Sequence, residues 1–566
     1  MIILHFVKAI GQGVDHRIHS RKAQSDEGIA MIMVMGAIVV LSLLLAATFG
    51  YANAVEPQAR KDQNWNAALA AAQSGVDDYV SKLNANDNYW QNIDCANIAM
   101  RGPNAGTNTC NWTGSTAVGW QNVSANDTTA GQFHYDADSS VIFSQGAVRL
   151  TSTGKVGDSK RTIQVLVTRG GSTDFLYYTD FEDADPSNTT VYPSGAPNAD
   201  CGATGPAAAK YWWNGRTSTD SCVEIQFVSG DTLDGKVHFN DTPYINGTTS
   251  FLQGYETSAP SCKTTPYSVS NCRRGSGTPN LNGNKASYAD VLNLPDNATN
   301  FSTYPGCQYT GDTRIRFNAA GTMTVWSTRS VGTTTSNDGS SCGTFTGSGS
   351  VTVPVPTDKI IYVKNWTSQT KCTVGQVGDG LPVTGDINID IPTFFCGNGN
   401  VYVEGTVKGR VSIAAQNNIV VTGDLLLDGV SAGATPSGTS VTGLVAANSV
   451  VVEHPVKCTA TSSGACTAWA NIDTSSTSRY VYASIQTLQR SFWVQSYDKG
   501  AQLGTLNVYG SIAQKWRGIV GTGSSTGYLK NYRYDSRLRF QAPPYFPQWT
   551  NAVWSGRTTG EIKSTY

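Results

Sequence analysis

A long uncharged apolar segment stands near the N-terminus of this 566-residue chain. Residues 29–47 carry no charged side chain, and only Gly36 and Ser42 interrupt the apolar pattern. About 20 apolar residues in a helix span a bilayer, so this segment is long enough to cross a membrane. The basic residues that precede it are Lys8, Arg17, Arg21 and Lys22. Because such residues favour the cytoplasmic side, we expect the N-terminus inside and the bulk of the chain outside.

The helical pattern continues beyond this apolar segment. Apolar residues recur at steps of three and four, at Leu69, Ala72, Val76, Tyr79, Val80 and Leu83. That spacing places them on one face of a helix. Polar residues 84–88 then predict its end. We therefore expect one helix over residues 29–84, half in lipid and half packed on a globular head.

Two ordinary interpretations of the N-terminal segment stay open. It is an uncleaved membrane anchor, or it is a secretory signal peptide, since Ala52, Asn53 and Ala54 offer an A-x-A cleavage site. The apolar segment is longer than the roughly 7–15 residues usual in a signal peptide. Length therefore favours the anchor.

A polar border, residues 26–28 (DEG), precedes the apolar helix, and an alanine-rich stretch, residues 67–72 (AALAAA), lies within it. These segments resemble the start of PilX-type minor pilins and related type IV pilus assembly proteins. In that family a prepilin peptidase cuts after the glycine, so the resemblance implies cleavage between Gly28 and Ile29. Most major pilins carry Glu at the fifth mature position, where this chain has Met33. Without that carboxylate, a tip or accessory subunit is expected rather than a repeating shaft subunit.

The resemblance also implies partners and a location. The partners are membrane lipid around residues 29–47, other pilin-like subunits and a prepilin peptidase. The protein would be single-pass in the cytoplasmic membrane and would reach the cell surface or a pilus after assembly. A surface ligand such as carbohydrate, DNA or a host or neighbouring cell is left open.

Two alternating segments after the helix predict a β-hairpin. Residues 148–154 and 161–167 alternate apolar and polar positions on either side of Gly157 and Asp158. A helix on a small antiparallel sheet is an α+β arrangement. We therefore expect a cytoplasmic leader over residues 1–28 and a small α+β segment over residues 85–170. The hairpin also resembles the last hairpin of pilin-like accessory proteins.

Short strands dominate the pattern from residue 171 onward. In residues 400–428, apolar triplets alternate with polar or glycine corners at a spacing too short for helices. Such spacing is typical of the rungs of a parallel β-helix, although a β-sandwich is the alternative. Residues 414–421 (AAQNNIVV) and 446–452 (AANSVVV) echo each other. The expected fold is therefore mainly β with a long N-terminal α-helix and a right-handed parallel β-helix, or solenoid, with insertions.

The resemblance extends into this region. Residues 230–241 are similar to an early rung of the β-helical ectodomains attached to such pilin-like N-termini. Residues 509–518, 532–538 and 543–547 are similar to the C-terminal signature of those proteins. The resemblance implies a β-solenoid ectodomain with a C-terminal cap over residues 171–566. Residues 255–355 match nothing in the family, and we expect them to contain insertions.

The composition favours an extracellular, turn-rich protein. Charged residues make up only 14% of the chain. The formal net charge is −1, so no overall electrostatic field indicates binding to nucleic acid or to anionic membranes. The twelve cysteines all lie beyond residue 94, and no CxxC motif suggests zinc. We expect disulfides between sequence neighbours, as Cys95/Cys110, Cys201/Cys222, Cys262/Cys272, Cys307/Cys342, Cys372/Cys396 and Cys458/Cys466.

Two clusters offer candidate chemistry. A predicted rung carries four polar residues close together, Asp231, His238, Asn240 and Asp241. They could form a metal site or a catalytic pair, or serve as polar corner residues. The C-terminal tail interleaves basic and aromatic residues, namely Trp516, Arg517, Lys530, Tyr532, Arg533, Tyr534, Arg537, Arg539, Tyr545, Phe546 and Trp549. This tail is either a stacking surface for DNA or carbohydrate or a cap in which Arg537 pairs with Asp535.

The sequence contains no HExxH, GxSxG or P-loop motif. We expect no catalytic, cofactor or metal site, and a structural or assembly role at a type IV pilus-like surface apparatus. The alternatives are a membrane-anchored polysaccharide-active enzyme on a β-helix and a plain anchored envelope protein.

Overall fold

The computed structural model describes most of the chain. The described residues are 27–86, 89–103, 110, 112, 118–125, 127–140, 142, 147–188, 190–195, 198–295, 299–347, 349–366, 399–472, 478–523, 525–539, 541–549, 553–564 and 566. The cytoplasmic leader that we expected over residues 1–28 lies outside them except for its last two residues.

One long helix opens the structure. Helix α1 spans Glu27–Ala85, 59 residues, close to the predicted range of 29–84. Its length is roughly 90 Å at 1.5 Å per residue. Pro57 lies in its interior.

Short strands make up most of the rest. The strands before residue 330 are β1 (Gln121–Ser124), β2 (Asp127–Asp138), β3 (Ala147–Val156), β4 (Ser159–Arg169), β5 (Tyr177–Ala184), β6 (Thr232–Asp234), β7 (Val237–Phe239), β8 (Ser250–Phe251), β9 (Tyr255–Thr257), β10 (Ala286–Tyr288), β11 (Gly306–Thr310), β12 (Thr313–Asn318) and β13 (Thr322–Trp326). Those that follow are β14 (Ser350–Pro354), β15 (Lys359–Lys364), β16 (Val401–Val407), β17 (Arg410–Ala415), β18 (Ile419–Leu427), β19 (Val441–Ala446), β20 (Val450–Val452), β21 (Val456–Ser462), β22 (Ala465–Asn471), β23 (Arg479–Thr487), β24 (Phe492–Val494), β25 (Gln502–Arg517), β26 (Gly527–Tyr534) and β27 (Trp554–Ile562). The protein is mostly β with one long N-terminal helix, as predicted.

A five-stranded antiparallel sheet packs against α1, in the order β1-β2-β3-β4-β27. Strands β3 and β4 form the predicted hairpin, with Val156 opposite Ser159 across Gly157 and Asp158. Gly157 has a φ of +55°, a conformation that glycine adopts without steric cost. The helix and sheet form the α+β arrangement expected from the pattern.

The last strand of this sheet was not expected there. We assigned the C-terminal residues to the cap of a solenoid, but β27 pairs with β4, from Trp554 opposite Arg169 to Ile562 opposite Thr162. A pairing across about 390 residues leaves no local trace in the sequence, because each strand alone carries only an alternating pattern. The chain therefore returns to its first sheet.

The strands between β4 and β27 pair mainly in parallel. One ladder runs β11-β15-β17-β19-β23-β25-β5-β7-β9-β10. Strands β12, β16, β18, β20 and β24 form a second ladder, and β26, β6 and β8 form a third. Antiparallel neighbours extend them, since β12, β13 and β14 form a meander within the segment where we expected insertions.

The ladders do not follow chain order. Strand β5 lies beside β25, with Tyr177 opposite Ile512, and β6 lies beside β26, with Thr232 opposite Asn531. Residues 230–241, which we expected to form an early rung, thus contact the last strands of the region. The first and last parts of the region meet along a seam, defined here as the β5–β25 and β6–β26 pairings.

The sequence echo corresponds to a structural register. Ala415 lies opposite Ala446, and Ile419 lies opposite Val450, which is the alignment of the two repeated segments. The corner between them carries a side-chain ladder in which Asn448 Nδ2 donates to Asn417 Oδ1 at 2.6 Å. Stacked amides at the corners explain why asparagine recurs there.

Disulfides join five of the six cysteine pairs named from the sequence. They are Cys95–Cys110, Cys201–Cys222, Cys262–Cys272, Cys307–Cys342 and Cys458–Cys466. Each closes a local loop, between 8 and 35 residues in sequence separation. Cys372 and Cys396 lie outside the described residues.

Candidate functional site

The N-terminal half of α1 is apolar and bare. Its large apolar side chains between Met31 and Leu45 are 52% to 70% exposed. Gly28 and Ile29 lie in the first turn. The helix is long and apolar enough to cross a membrane, by length and composition. Contiguous apolar surface of this extent near an N-terminus is typical of a membrane anchor or of a signal sequence.

Charge returns only where this half ends. Residues 28–55 carry no charged side chain, a length of roughly 40 Å as a helix. Glu56 and Arg60 then pair one turn apart, with 2.6 Å between Arg60 Nη2 and Glu56 Oε1. The boundary between the apolar and polar parts of α1 therefore lies near Pro57.

The C-terminal half of α1 packs closely on the sheet through small residues. Ala68 and Ala72 are fully buried on this face. Gly154 of β3 lies so close to them that a Cβ atom there would overlap the Ala68 carbonyl oxygen and the Ala72 amide nitrogen. Ser152 Oγ donates a hydrogen bond to the Ala72 carbonyl at 2.7 Å. The alanine-rich stretch of residues 67–72 is therefore where the helix packs directly on strand β3.

A partly buried polar network fixes the other end of this interface. Tyr135 Oη donates to Asp78 Oδ2 at 2.7 Å, and Asn97 Nδ2 donates to Tyr135 Oη at 2.5 Å. Asn97 also donates to Tyr89 Oη at 3.0 Å, which in turn donates to Asp94. Burial raises the pKa of Tyr89 to about 12, so its hydroxyl stays protonated and remains a donor.

Two hydrogen bonds join the C-terminal strand β27 to the end of the helix. Trp554 N donates to Asn84 Oδ1 at 2.6 Å, and Asn84 Nδ2 donates back to the Trp554 carbonyl at 3.1 Å. Arg161 on β4 forms a bidentate pair with Glu561 on β27, at 2.7 and 2.5 Å. Helix, sheet and returning strand are therefore one unit, and the bare apolar half of α1 projects from it.

The polar residues predicted on the early rung are buried and paired. Asp231 accepts from Lys530 Nζ at 2.8 Å. His238 bridges Glu256 Oε1, at 2.8 Å from Nδ1, and Asn240 Oδ1, at 2.9 Å from Nε2. These contacts give the polar groups hydrogen-bond partners within the protein. Of the alternatives that the sequence left open, they favour polar corner residues over a catalytic pair or a metal site.

Arg216 organises a buried charge cluster, which sequence reasoning missed. Its Nη2 lies 2.7 Å from Asp241 Oδ2, its Nη1 lies 3.3 Å from Asp183 Oδ1, and its Nε lies 3.0 Å from Glu224 Oε1. The Cys201–Cys222 disulfide closes the loop that carries Arg216. The acidic segment DFEDAD, residues 180–185, could have predicted this cluster, because carboxylates on a buried strand need cationic partners.

Asp183 also lies close to the Cys201 and Cys222 sulfur atoms. A thiolate is the form of cysteine that binds metals, and a disulfide sulfur is not a thiolate. This group is therefore a structural contact between a carboxylate and a disulfide.

The basic and aromatic residues near the C-terminus mostly face inward. Trp516 is 1% exposed and stacks on Phe181, with 4.4 Å between ring centroids. Arg517 Nη1 lies 2.7 Å from Glu182 Oε2, and both side chains are fully buried. Arg537 pairs with Asp535 at 2.7 Å, as predicted. This burial favours the packing role over a stacking surface for DNA or carbohydrate.

The pH dependence of stability is expected to change in Asp183→Asn. Burial raises the pKa of the Asp183 carboxyl well above its usual range, so the folded state holds this proton more tightly than the unfolded state. Its contribution is full below about pH 4, the usual pKa of Asp, and is lost as pH rises towards the folded value. The free energy of unfolding of the wild type, relative to Asp183→Asn, should therefore fall with rising pH, by at most about 1.4 kcal/mol per pH unit.

Urea denaturation of both proteins between pH 4 and pH 8 measures this difference. Asp127→Asn is the control, since hydrogen bonds from Thr129 lower the pKa of this exposed carboxyl. It should show a small effect of the opposite sign. Parallel curves for the wild type and Asp183→Asn would contradict the prediction.

A solved pilin structure is similar to this chain at low sequence identity. A search of protein-family models and of curated protein sequences finds no match. Among solved structures, the competence-associated pilin ComZ from Thermus thermophilus is similar, with 11% sequence identity and a TM-score of 0.26. The alignment covers 88% of this chain and 98% of that chain. A similarity at this level does not establish a shared family.

Proposed function

We propose that this chain is a structural subunit of a type IV pilus-like surface apparatus. Residues 29–47 hold it in the membrane, and after cleavage between Gly28 and Ile29 the bare half of α1 packs against the helices of other pilin-like subunits. One observation carries this proposal. One continuous helix carries no charged side chain between residues 28 and 55, exposes its large apolar side chains between Met31 and Leu45, and packs on an antiparallel sheet over its second half. A plain anchor does not need the last of these features.

The region between β4 and β27 is the part displayed for assembly or adhesion. We infer that its parallel ladders wind as a right-handed solenoid. The parallel pairing of strands that alternate along the chain and the stacked corner asparagines support this inference. Local disulfides are typical of proteins that fold outside the cytoplasm.

Met33 bears on the role within the apparatus. Its side chain is 70% exposed and apolar at the position where most major pilins have Glu. A subunit without this carboxylate has no charge partner for the N-terminal amine of a neighbour. We therefore propose a tip or accessory subunit.

The N-terminal sequence of the membrane-extracted protein tests the proposal, after co-expression with a prepilin peptidase. We expect the mature chain to begin at Ile29. We expect Gly28→Val to block cleavage, because in the family that this N-terminus resembles the peptidase cuts after the glycine. Ala54→Leu is the matched control and should leave the Ile29 terminus unchanged.

Two results would overturn the proposal. A terminus at Val55, lost in Ala54→Leu, would identify a secretory signal peptide. An uncleaved chain in the presence of an active peptidase would leave a plain anchored envelope protein.

A further inference from the structure

Lys530 and Asp231 face each other across the seam. Because Asn531 lies opposite Thr232 in the parallel β26–β6 pair, the two preceding residues are direct neighbours. Lys530 Nζ lies 2.8 Å from Asp231 Oδ2, although the residues are 299 positions apart. The Lys530 amide donates to Asp231 Oδ1 at 3.2 Å, and the Val228 amide donates to Asp231 Oδ2 at 3.2 Å. Backbone thus holds the carboxyl group in place against the amine.

Both side chains of the pair are buried. In the described part of the chain Lys530 is the one buried lysine, and Asp231 is 1% exposed. The Phe227 ring lies 5.7 Å from Lys530 Nζ, and the buried tyrosine Tyr532 lies on the same strand. Burial lowers the pKa of Lys530. Removal from water in a low-dielectric site disfavours the charged ammonium of Lys530 and favours its neutral amine, which is the nucleophilic form.

We propose that Lys530 and Asp231 join in an intramolecular amide, an isopeptide bond between Nζ and Cγ. The neutral amine attacks Cγ, the bond from Cγ to one carboxyl oxygen breaks, and that oxygen leaves as water. The ammonium and the carboxylate together contain every atom required, since their sum is the amide and one water molecule. No oxidant, metal or external acid takes part, and the Asp231 contacts to the two backbone amides polarise the carboxyl carbon.

The position of the bond gives it a structural purpose. The seam is where the early strands β5 and β6 meet the late strands β25 and β26, which are otherwise held by parallel hydrogen bonds and side-chain packing. Those bonds separate when the two parts of the chain are pulled apart. An amide between Lys530 and Asp231 closes the seam covalently, in a protein whose proposed role exposes it to mechanical load.

Mass spectrometry of the reduced full-length protein tests the bond. The intact mass should be lower, by one water molecule, than the mass calculated for the same chain with twelve free thiols. Trypsin should fail to cleave after Lys530. Residues 217–236 and 518–533 should then appear as one branched peptide.

Two variants provide controls. Lys530→Arg keeps the positive charge but cannot form the amide, so its intact mass should equal the calculated value. Lys515→Arg alters a matched pair, with 2.7 Å between Lys515 Nζ and Asp180 Oδ2, whose lysine side chain is 17% exposed. This variant should keep the branched peptide. A wild-type mass equal to the calculated value, with cleavage after Lys530, would overturn the proposal and leave an ordinary buried ion pair, whatever the variants do.

Discussion

Arg216→Met is expected to destabilise the protein by about 3–5 kcal/mol or more, because it leaves buried carboxylates without their cation. Arg216 is fully buried and contacts Asp183, Glu224 and Asp241 at the same time. Arg274 contacts only Glu224 among these three, so it cannot replace the lost charge. Arg216→Lys should recover little of this loss, since one ammonium group cannot reproduce the planar fork that reaches three partners.

Urea denaturation monitored by tryptophan fluorescence measures this effect. Lys210→Met is the matched control in the same disulfide-closed loop. Lys210 Nζ lies 2.9 Å from Asp200 Oδ2, but the lysine side chain is 46% exposed. An exposed pair of this kind contributes little to stability, because water and salt screen it. The prediction fails if Arg216→Met and Lys210→Met lose similar amounts of stability.

Gly154→Ala is expected to lift α1 from its sheet, at a cost of about 3 kcal/mol. The added methyl group would overlap the helix backbone at Ala68 and Ala72, which cannot rotate away as a flexible side chain would. The helix therefore has to shift as a whole. The Ser152 hydrogen bond to Ala72 is then lost as well.

Hydrogen exchange of the backbone amides in residues 66–85 reports this change, and faster exchange is expected in Gly154→Ala. Gly560→Ala is the matched control on β27 of the same sheet, because a Cβ there has no heavy atom within 4 Å. Unchanged exchange in Gly154→Ala would show that the helix tolerates a wider spacing from the sheet.

Features of the fold that depend on local sequence were predictable. The apolar segment of residues 29–47 and the apolar helix face that ends at Leu83 predicted helix α1. The alternating segments on either side of Gly157 predicted the β3–β4 hairpin. The echo between residues 414–421 and 446–452 gave the register of two stacked strands. In each case the pattern and the contact lie close together along the chain.

Features that depend on distant pairings were not predictable. Nothing local marks β27 as a partner of β4, or β6 as a partner of β26, because the hydrogen bonds of a strand do not depend on which side chains it carries. The candidate site shows the same division. The bare half of α1 followed from composition, whereas the partners of Asp231 and Asp241 come from residues 299 and 25 positions away.

The return of the chain to its first sheet has a consequence for engineering. Gly171 pairs with Gln548, and the Trp549 amide donates to the Gly170 carbonyl at 3.4 Å, so the chain leaves the helix-and-sheet unit and rejoins it at adjacent points. Residues 171–548 are therefore an insertion in this unit. We expect that a foreign domain whose own termini lie side by side can replace this insertion without disturbing α1.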